Sequence, residues 1–345
     1  MRLLTKAALA AATSGLAFMA TGVLAQDYPW QPDRPINVIV PWGAGGSTDQ
    51  VIRVLTPIIA DALNQSVVVV NQPGASGATG TAEVLAAPLD GYTWTGNAIA
   101  NNATYHVSGL LEDTDVGDWH VYLAVANVPL ISVPADSEFD DFGALLEAFR
   151  ERGEGITVGT AGVTSSGGTA IAALSHAGGF DYRMVAYDGG GPAATATAAG
   201  EVMVTSQLAV EQAELVRGGR LKALAVLSDH PLELEGVDPI PPVTDWLPDM
   251  PIFPDYFGIL VPAGVPQEVI ATLDAVWEDH IMNAETLRTY AMTNGAVMAP
   301  AYGEEALAAV MPVIIEKACA ALARDEAVND PSTIGIDCDT RSLMD

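Results

Sequence analysis

Glycines and hydroxyl side chains in this chain gather at turns that follow short apolar runs. The first such turn is Trp42-Gly43-Ala44-Gly45-Gly46-Ser47-Thr48-Asp49. Glycines let a ligand approach the backbone, and a helix start behind them offers unpaired N–H groups and a positive dipole end. The chemistry this permits is the holding of a small anion by backbone and hydroxyl donors. Ser76, Gly77 and Thr79 repeat the pattern in a second turn, and Asn97 follows another apolar run. Thr160, Gly162, Thr164 and Ser165 form a further turn, and Tyr187 with Asp188 opens a glycine run. No lysine or arginine stands in these turns. Arg53 lies one turn into the first helix, where pairing with a neighbour is its expected role, and Arg183 begins a strand instead of ending one. Asp49 is placed to stabilise the helix start. Trp42 serves equally as a wall for a ring or as packing behind the loop. Asp188 either accepts from an ammonium or hydroxyl group, or is a turn residue before glycine.

Sharper chemistries fail on residues. A dinucleotide fingerprint needs glycine where Thr48 stands. A phosphate loop needs Gly-Lys-Ser/Thr, and no lysine follows Gly46. A serine hydrolase needs Gly-x-Ser-x-Gly, which Gly74-Ala75-Ser76-Gly77 does not supply. His106, His120, His176, His230 and His280 are scattered without paired spacing, so no metal site and no cofactor are expected.

The elements that must position these turns are strands and helices in alternation. Ile36 to Val40 reads as a buried strand, and Asp49 to Leu63 repeats apolar residues at helical spacing. Val67 to Val70 and Tyr92 to Thr95 read as further strands, the first followed by a helix over Thr81 to Ala86. Turns on neighbouring parallel strands lie at one edge of a sheet, where open α/β sheets bind ligands. Tyr122 to Val133 reads as a strand crossing into a second domain. Strands follow at Ile156 to Thr160, Arg183 to Tyr187, Val202 to Ser206 and Leu221 to Val226, with helices between. Asp229 to Asp255 is rich in proline and acids and reads as a long surface connection, with Phe257 to Val261 as the return strand. Helices over Gln267 to Met282, Glu285 to Thr293 and Gly303 to Arg324 close the chain. The expected domains are lobe 1 over 26–123 and 256–345, and lobe 2 over 124–255.

Residues 1–25 read as an export signal: a basic start at Arg2 and Lys6, an apolar stretch, and Val23-Leu24-Ala25 before the cut. A periplasmic location is expected. No later stretch reads as long and apolar enough to cross a membrane. Export and an even count predict that Cys319 and Cys338 bond to each other. The 14 basic and 43 acidic residues give a net charge of −29. Removing the leader takes away Arg2 and Lys6 and no acid, so −29 becomes −31. Such a surface repels nucleic acid. An anionic ligand must then be held by local donors against the overall field. Lys222 and Lys317 are the lysines left beyond the leader, a composition suited to a saline medium.

Three motifs in order carry a family resemblance: P-W-G-A-G-G-S-T-D, then V-V-V-V-N-Q-P-G-A-S-G-A-T-G, then P-L-D-G-Y-T-W. The chain resembles the TctC or Bug-type solute-binding proteins of tripartite tricarboxylate transporters. The resemblance spans nearly all of the chain after the leader, more weakly after Leu227. It implies an α/β, two-lobed periplasmic-binding-protein (Venus-flytrap) fold, with a cleft between lobes and crossing strands as the hinge. It implies a small carboxylate ligand, handed to membrane permease subunits, by a monomer that performs no catalysis. Met203 stands where the family often has Asp at a pocket edge, and Gln72 replaces a common cation. A ligand-sensing partner of a signalling system and an exported hydrolase are the alternatives. Di- or tricarboxylates, aromatic carboxylates and acidic amino acids all fit as ligands.

Overall fold

The computed structural model describes residues 28–344 apart from positions 113, 251 and 253. The expected leader and its cleavage after Ala25 lie outside the described residues.

The chain opens with β1 (Ile36–Val40), a valine- and isoleucine-rich strand buried at every position but Asn37. It feeds α1 (Ser47–Leu63), which buries Val51, Ile52, Leu55 and Ile59 and stops where Asn64 turns left-handed. β2 (Val67–Asn71) and β3 (Thr93–Ala98) both run parallel to β1, with α2 (Ala78–Leu85) between them. The short α3 (Ile99–Thr104) leads on to β4 (Trp119–Asn127). One residue later β5 (Pro129–Pro134) enters a different sheet.

The second sheet is filled by α4 (Phe142–Arg152), β6 (Thr157–Thr160), α5 (Ser166–Gly178), β7 (Arg183–Ala186), α6 (Gly190–Ala198), β8 (Val204–Leu208), α7 (Ala209–Arg217) and β9 (Leu221–Val226). The chain then returns through β10 (Asp255–Pro262), α8 (Gln267–Val276), α9 (Glu285–Asn294), β11 (Val297–Tyr302) and α10 (Gly303–Ala323), and ends in a small hairpin of β12 (Ile336–Asp337) and β13 (Ser342–Leu343).

Two α/β lobes result. A six-stranded sheet has the order β11-β4-β10-β3-β1-β2, and a five-stranded sheet the order β7-β6-β8-β5-β9. In each, three neighbouring strands are parallel: β2, β1, β3 in one and β7, β6, β8 in the other. The remaining pairings, through β10, β4, β11, β5 and β9, are antiparallel. One face of the six-stranded sheet packs α1 and α8 around Trp94, Phe257 and Trp277; the other packs α3 and α10 around Ile99, Trp119 and Val313. The five-stranded sheet has its own core of Phe142, Phe149, Ile171 and Leu174.

Four expectations need correction. The single crossing strand over Tyr122 to Val133 is two strands in different sheets, broken at Val128. The acidic connection is not merely surface: Val243, Leu247 and Met250 enter the second lobe's core, because apolar residues recur between its prolines. Met203 packs on that same core and does not line the cavity described below. One later helix, α10, is by length and composition apolar enough to cross a membrane, with a mean hydropathy of 1.8. Here one face of it, through Ala306, Val310, Val313 and Ile314, packs on the first lobe. Cys338 is joined to Cys319 of α10 by a disulfide, with Cα atoms 5.3 Å apart, which fastens the hairpin to that helix.

Candidate ligand-binding cleft

Because β1, β6 and their parallel neighbours end at the same boundary, the turns after them face one another across the lobes. That is the carboxyl-end position at which open α/β sheets take ligands. Backbone meets backbone where the Gly43 N–H donates to the Asp188 carbonyl oxygen. A Cβ on Gly43 would lie 2.6 Å from that oxygen, so only glycine permits this approach. A second bridge runs from the Thr164 hydroxyl to the Ser76 carbonyl oxygen, at 2.9 Å. Ser76 holds a left-handed φ of 52°, uncommon for a residue with a side chain, and this turns its carbonyl toward both Thr164 and the Tyr105 hydroxyl. Burial pushes the Tyr105 phenol up to about 12, so it remains a neutral donor.

The third bridge is made by a side chain that sequence reasoning missed. Glu211, in the first turn of α7, reaches across the boundary. Its Oε1 accepts from the Ser47 backbone N–H at 2.7 Å, and its Oε2 from the Leu208 N–H at 3.1 Å. Burial raises its pKa, and the hydrogen bonds from Ser47 and Leu208 oppose that rise. A glutamate three residues past a strand end, reaching back to the residue before the helix, was the available signal.

Behind the first turn lies a polar support. Asp49 accepts from the Gly45 N–H, from Arg53 Nε and from Asn71 Nδ2, each at 2.9 Å. Burial acts to raise the Asp49 pKa, but the bonds from Arg53, Gly45 and Asn71 outweigh it and hold the carboxyl below its usual range. Asp49 therefore shapes the loop from behind. Trp42 Nε1 donates to Asn97 Oδ1 at 2.7 Å, and Asn97 in turn donates to Asn102. Gly77, at a φ of 94°, leaves the room that the Trp42 ring and the Tyr105 hydroxyl occupy.

Between the lobes is a tight cavity with about 20 Å³ of free space. The first lobe lines it with Trp42, Gly46, Ser47, Thr48, Asn101 and Phe257; the second with Ala161, Ser165, Ser166, Gln207, Leu208 and Glu211. The N-termini of α1 and α5 both open onto it. Ser165 caps α5, its Oγ accepting from the Gly168 N–H at 3.0 Å and donating to the Gly162 carbonyl at 2.7 Å. Thr160 sits underneath, its Oγ1 accepting from the Gly162 N–H. Of the residues singled out in the sequence, Trp42, Gly46, Ser47, Thr48 and Ser165 meet at this cavity. Gly43, Ser76, Gly162, Thr164 and Asp188 make or flank the interlobe bridges instead, Asp188 through its carbonyl. Ala44, Gly45 and Tyr187 line a separate outer groove. Thr79 is exposed and packs against Gly74. Asn101, Ser166, Gln207, Phe257 and Glu211 join the lining without having been singled out.

Residues 51–304 match the family model described as the tripartite tricarboxylate transporter family receptor. A protein from the tcbD-tcbE intergenic region of Pseudomonas sp. (strain P51) is 31% identical over 75% of this chain and 77% of its own length. Among solved structures, the periplasmic binding protein BugD superposes with a TM-score of 0.77 at 22% identity, covering 86% of this chain and 99% of its own. MatC from Rhodopseudomonas palustris, solved with bound malate, superposes with a TM-score of 0.72 at 23% identity, covering 86% of this chain and 97% of its own. These two likenesses speak to the fold. By the family match across most of its length, the chain belongs to the tripartite tricarboxylate transporter receptor family.

Proposed function

We propose that this chain is an exported solute receptor that binds a small carboxylate in the interlobe cavity and presents it to the membrane permease subunits of a tripartite transporter. The observation that carries this is the lining: the N-terminus of α5 with Ser166 and, from the other lobe, Thr48 converge on one small cavity. Charge-assisted bonds from such donors suit an ionised carboxylate. The malate bound by MatC is of that class. Family membership supports a non-catalytic receptor, working in the periplasm after loss of a leader ending at Ala25. The two lobes hinge where β4 passes into β5 and where the chain returns into β10. The receptor acts as a monomer and needs no cofactor.

The test is calorimetry with a panel of mono-, di- and tricarboxylates on wild type, Gly46→Asp and Arg53→Gln. Gly46→Asp sets a carboxylate at the α1 N-terminus, within reach of Glu211, and is expected to abolish binding while the fold persists. Arg53→Gln loses the pairing with Asp49 outside the cavity and is expected to lower stability more than affinity. No binding by wild type to any carboxylate, or full affinity in Gly46→Asp, would overturn the reading.

A further inference from the structure

Glu211 is the one ionisable side chain, among the described residues, that lines the interlobe cavity. Its carboxylate is already seated at the N-terminus of α1, where Ser47 gives it a backbone N–H. Both of its oxygens accept from N–H groups, the pattern that suits an ionised carboxylate. Gly190 packs against it so closely that a Cβ there would overlap the carboxylate. One anion site of the cavity is therefore filled by the protein itself. What remains for a ligand is the α5 N-terminus with Ser166, together with Thr48. That set serves one carboxylate.

No cation offsets a second. The Nζ of Lys317 comes within 3.5 Å of Asn101 Oδ1 at the cavity wall. Asp255 holds that ammonium at 2.8 and 3.1 Å, so its charge is already balanced. The opposite need is met by Gln207. Gln207 lines the cavity, and its Nε2 is buried with no hydrogen-bond partner among the described residues. A buried donor of this kind calls for an acceptor, and an uncharged oxygen supplies one without adding to the repulsion from Glu211.

We propose that Glu211 sets the charge of the ligand: the cavity selects an acid with a single carboxylate, whose other end is an uncharged hydrogen-bond acceptor facing Gln207. This rests on the interlobe cavity being the ligand site. For a second carboxylate held about 6 Å from Glu211, at an effective dielectric of about 20, the repulsion weakens binding by roughly 100-fold.

The probes are pairs that differ by one charge at equal size: succinate with succinamate, and glutarate with glutaramate. Affinities are measured by calorimetry at about pH 7.5, where the diacids are fully ionised. Wild type is expected to bind each monoamide about 100-fold more tightly than its diacid. In Glu211→Gln, which keeps an acceptor for Ser47, the ratio is expected to fall to within about fivefold, mainly through tighter diacid binding. A merely structural role for Glu211 would change both affinities together and leave the ratio intact. Equal or tighter diacid binding by wild type overturns the proposal whether or not the variant folds. Equal gains for both members of a pair also overturn it, because Glu211 would then be competing for the seat of the common carboxylate. If the monoamides, the diacids and the wider carboxylate panel all fail to bind wild type, the receptor reading falls and this inference with it.

Discussion

Gly43 has no room for a side chain, and the atom in the way belongs to the other lobe. A methyl group there would sit 2.6 Å from the Asp188 carbonyl oxygen, well inside contact distance, and the obstructing group is backbone. Gly43→Ala is therefore expected to act on closure and to spare each lobe. Overpacking of this kind costs on the order of 1–3 kcal/mol, or roughly 10–100-fold in ligand affinity. Calorimetry should record that loss while the melting temperature of the ligand-free protein stays near wild type; a large fall in that temperature would mean that the contact is part of the fold. Asp49 makes the opposite prediction. Its three donors lie within its own lobe, so Asp49→Asn is expected to reduce stability by about 1–3 kcal/mol near neutral pH. The sign with pH follows from its lowered pKa. The stabilisation is present above the unfolded carboxylate value of about 3.9 and is lost as pH falls through the lower folded value. Urea denaturation of both proteins should show a gap at about pH 6 that narrows toward about pH 3. A gap that does not depend on pH would show that the ionised carboxylate is not what Asn71 and Arg53 hold.

At the scale of elements, the disulfide between Cys319 and Cys338 closes a loop whose ends are 19 residues apart. In the chain-entropy account such a loop contributes roughly 3 kcal/mol. Much of that acts locally, because the tail packs on the first lobe through Val328 against Gly109 and through backbone bonds to Val107. Cys338→Ser is expected to speed hydrogen exchange in the tail and the end of α10, leaving the lobe-2 strands protected; uniform loss of protection would overturn this. The elements legible in the sequence were those with a strong period and clear ends. β1 and β9 lie where their apolar runs put them, and α1 begins at Ser47, two residues before Asp49. β11 was not legible, since Pro300 interrupts it and its pairing with β4 shifts register between Met298 and Ala301. The six-residue α3 is buried all round, so it shows no amphipathic period. The Gly- and Pro-containing start of α6 reads as a turn. Glu211 was hidden for a different reason: its partner Ser47 is 164 residues away, and no local pattern records a contact between lobes.

Across the whole molecule the dominant quantity is charge. A net −29 over the full chain, or −31 after removal of the leader, is spread over a fold with few basic residues to pair it. Several of the ion pairs present are exposed, such as Arg34 with Asp90 and Arg152 with Glu138, and exposed pairs contribute little. The remaining acids repel one another, which works against a compact state. Salt screens that repulsion: the Debye length falls from about 20 Å near 0.02 M to about 3 Å near 1 M. The more buried Lys317–Asp255 pair is screened far less, so little attraction is lost in exchange. The unfolding midpoint is therefore expected to rise by several degrees between those concentrations of sodium chloride, with most of the gain below about 0.3 M, where the Debye length changes fastest. Chloride is the right anion for the measurement, because sulfate also strengthens apolar burial by exclusion. A midpoint that is flat or falls with sodium chloride would show that the acids are spaced widely enough to ignore one another. A rise that continues undiminished above about 1 M would point to a general salting effect, because screening is by then nearly complete.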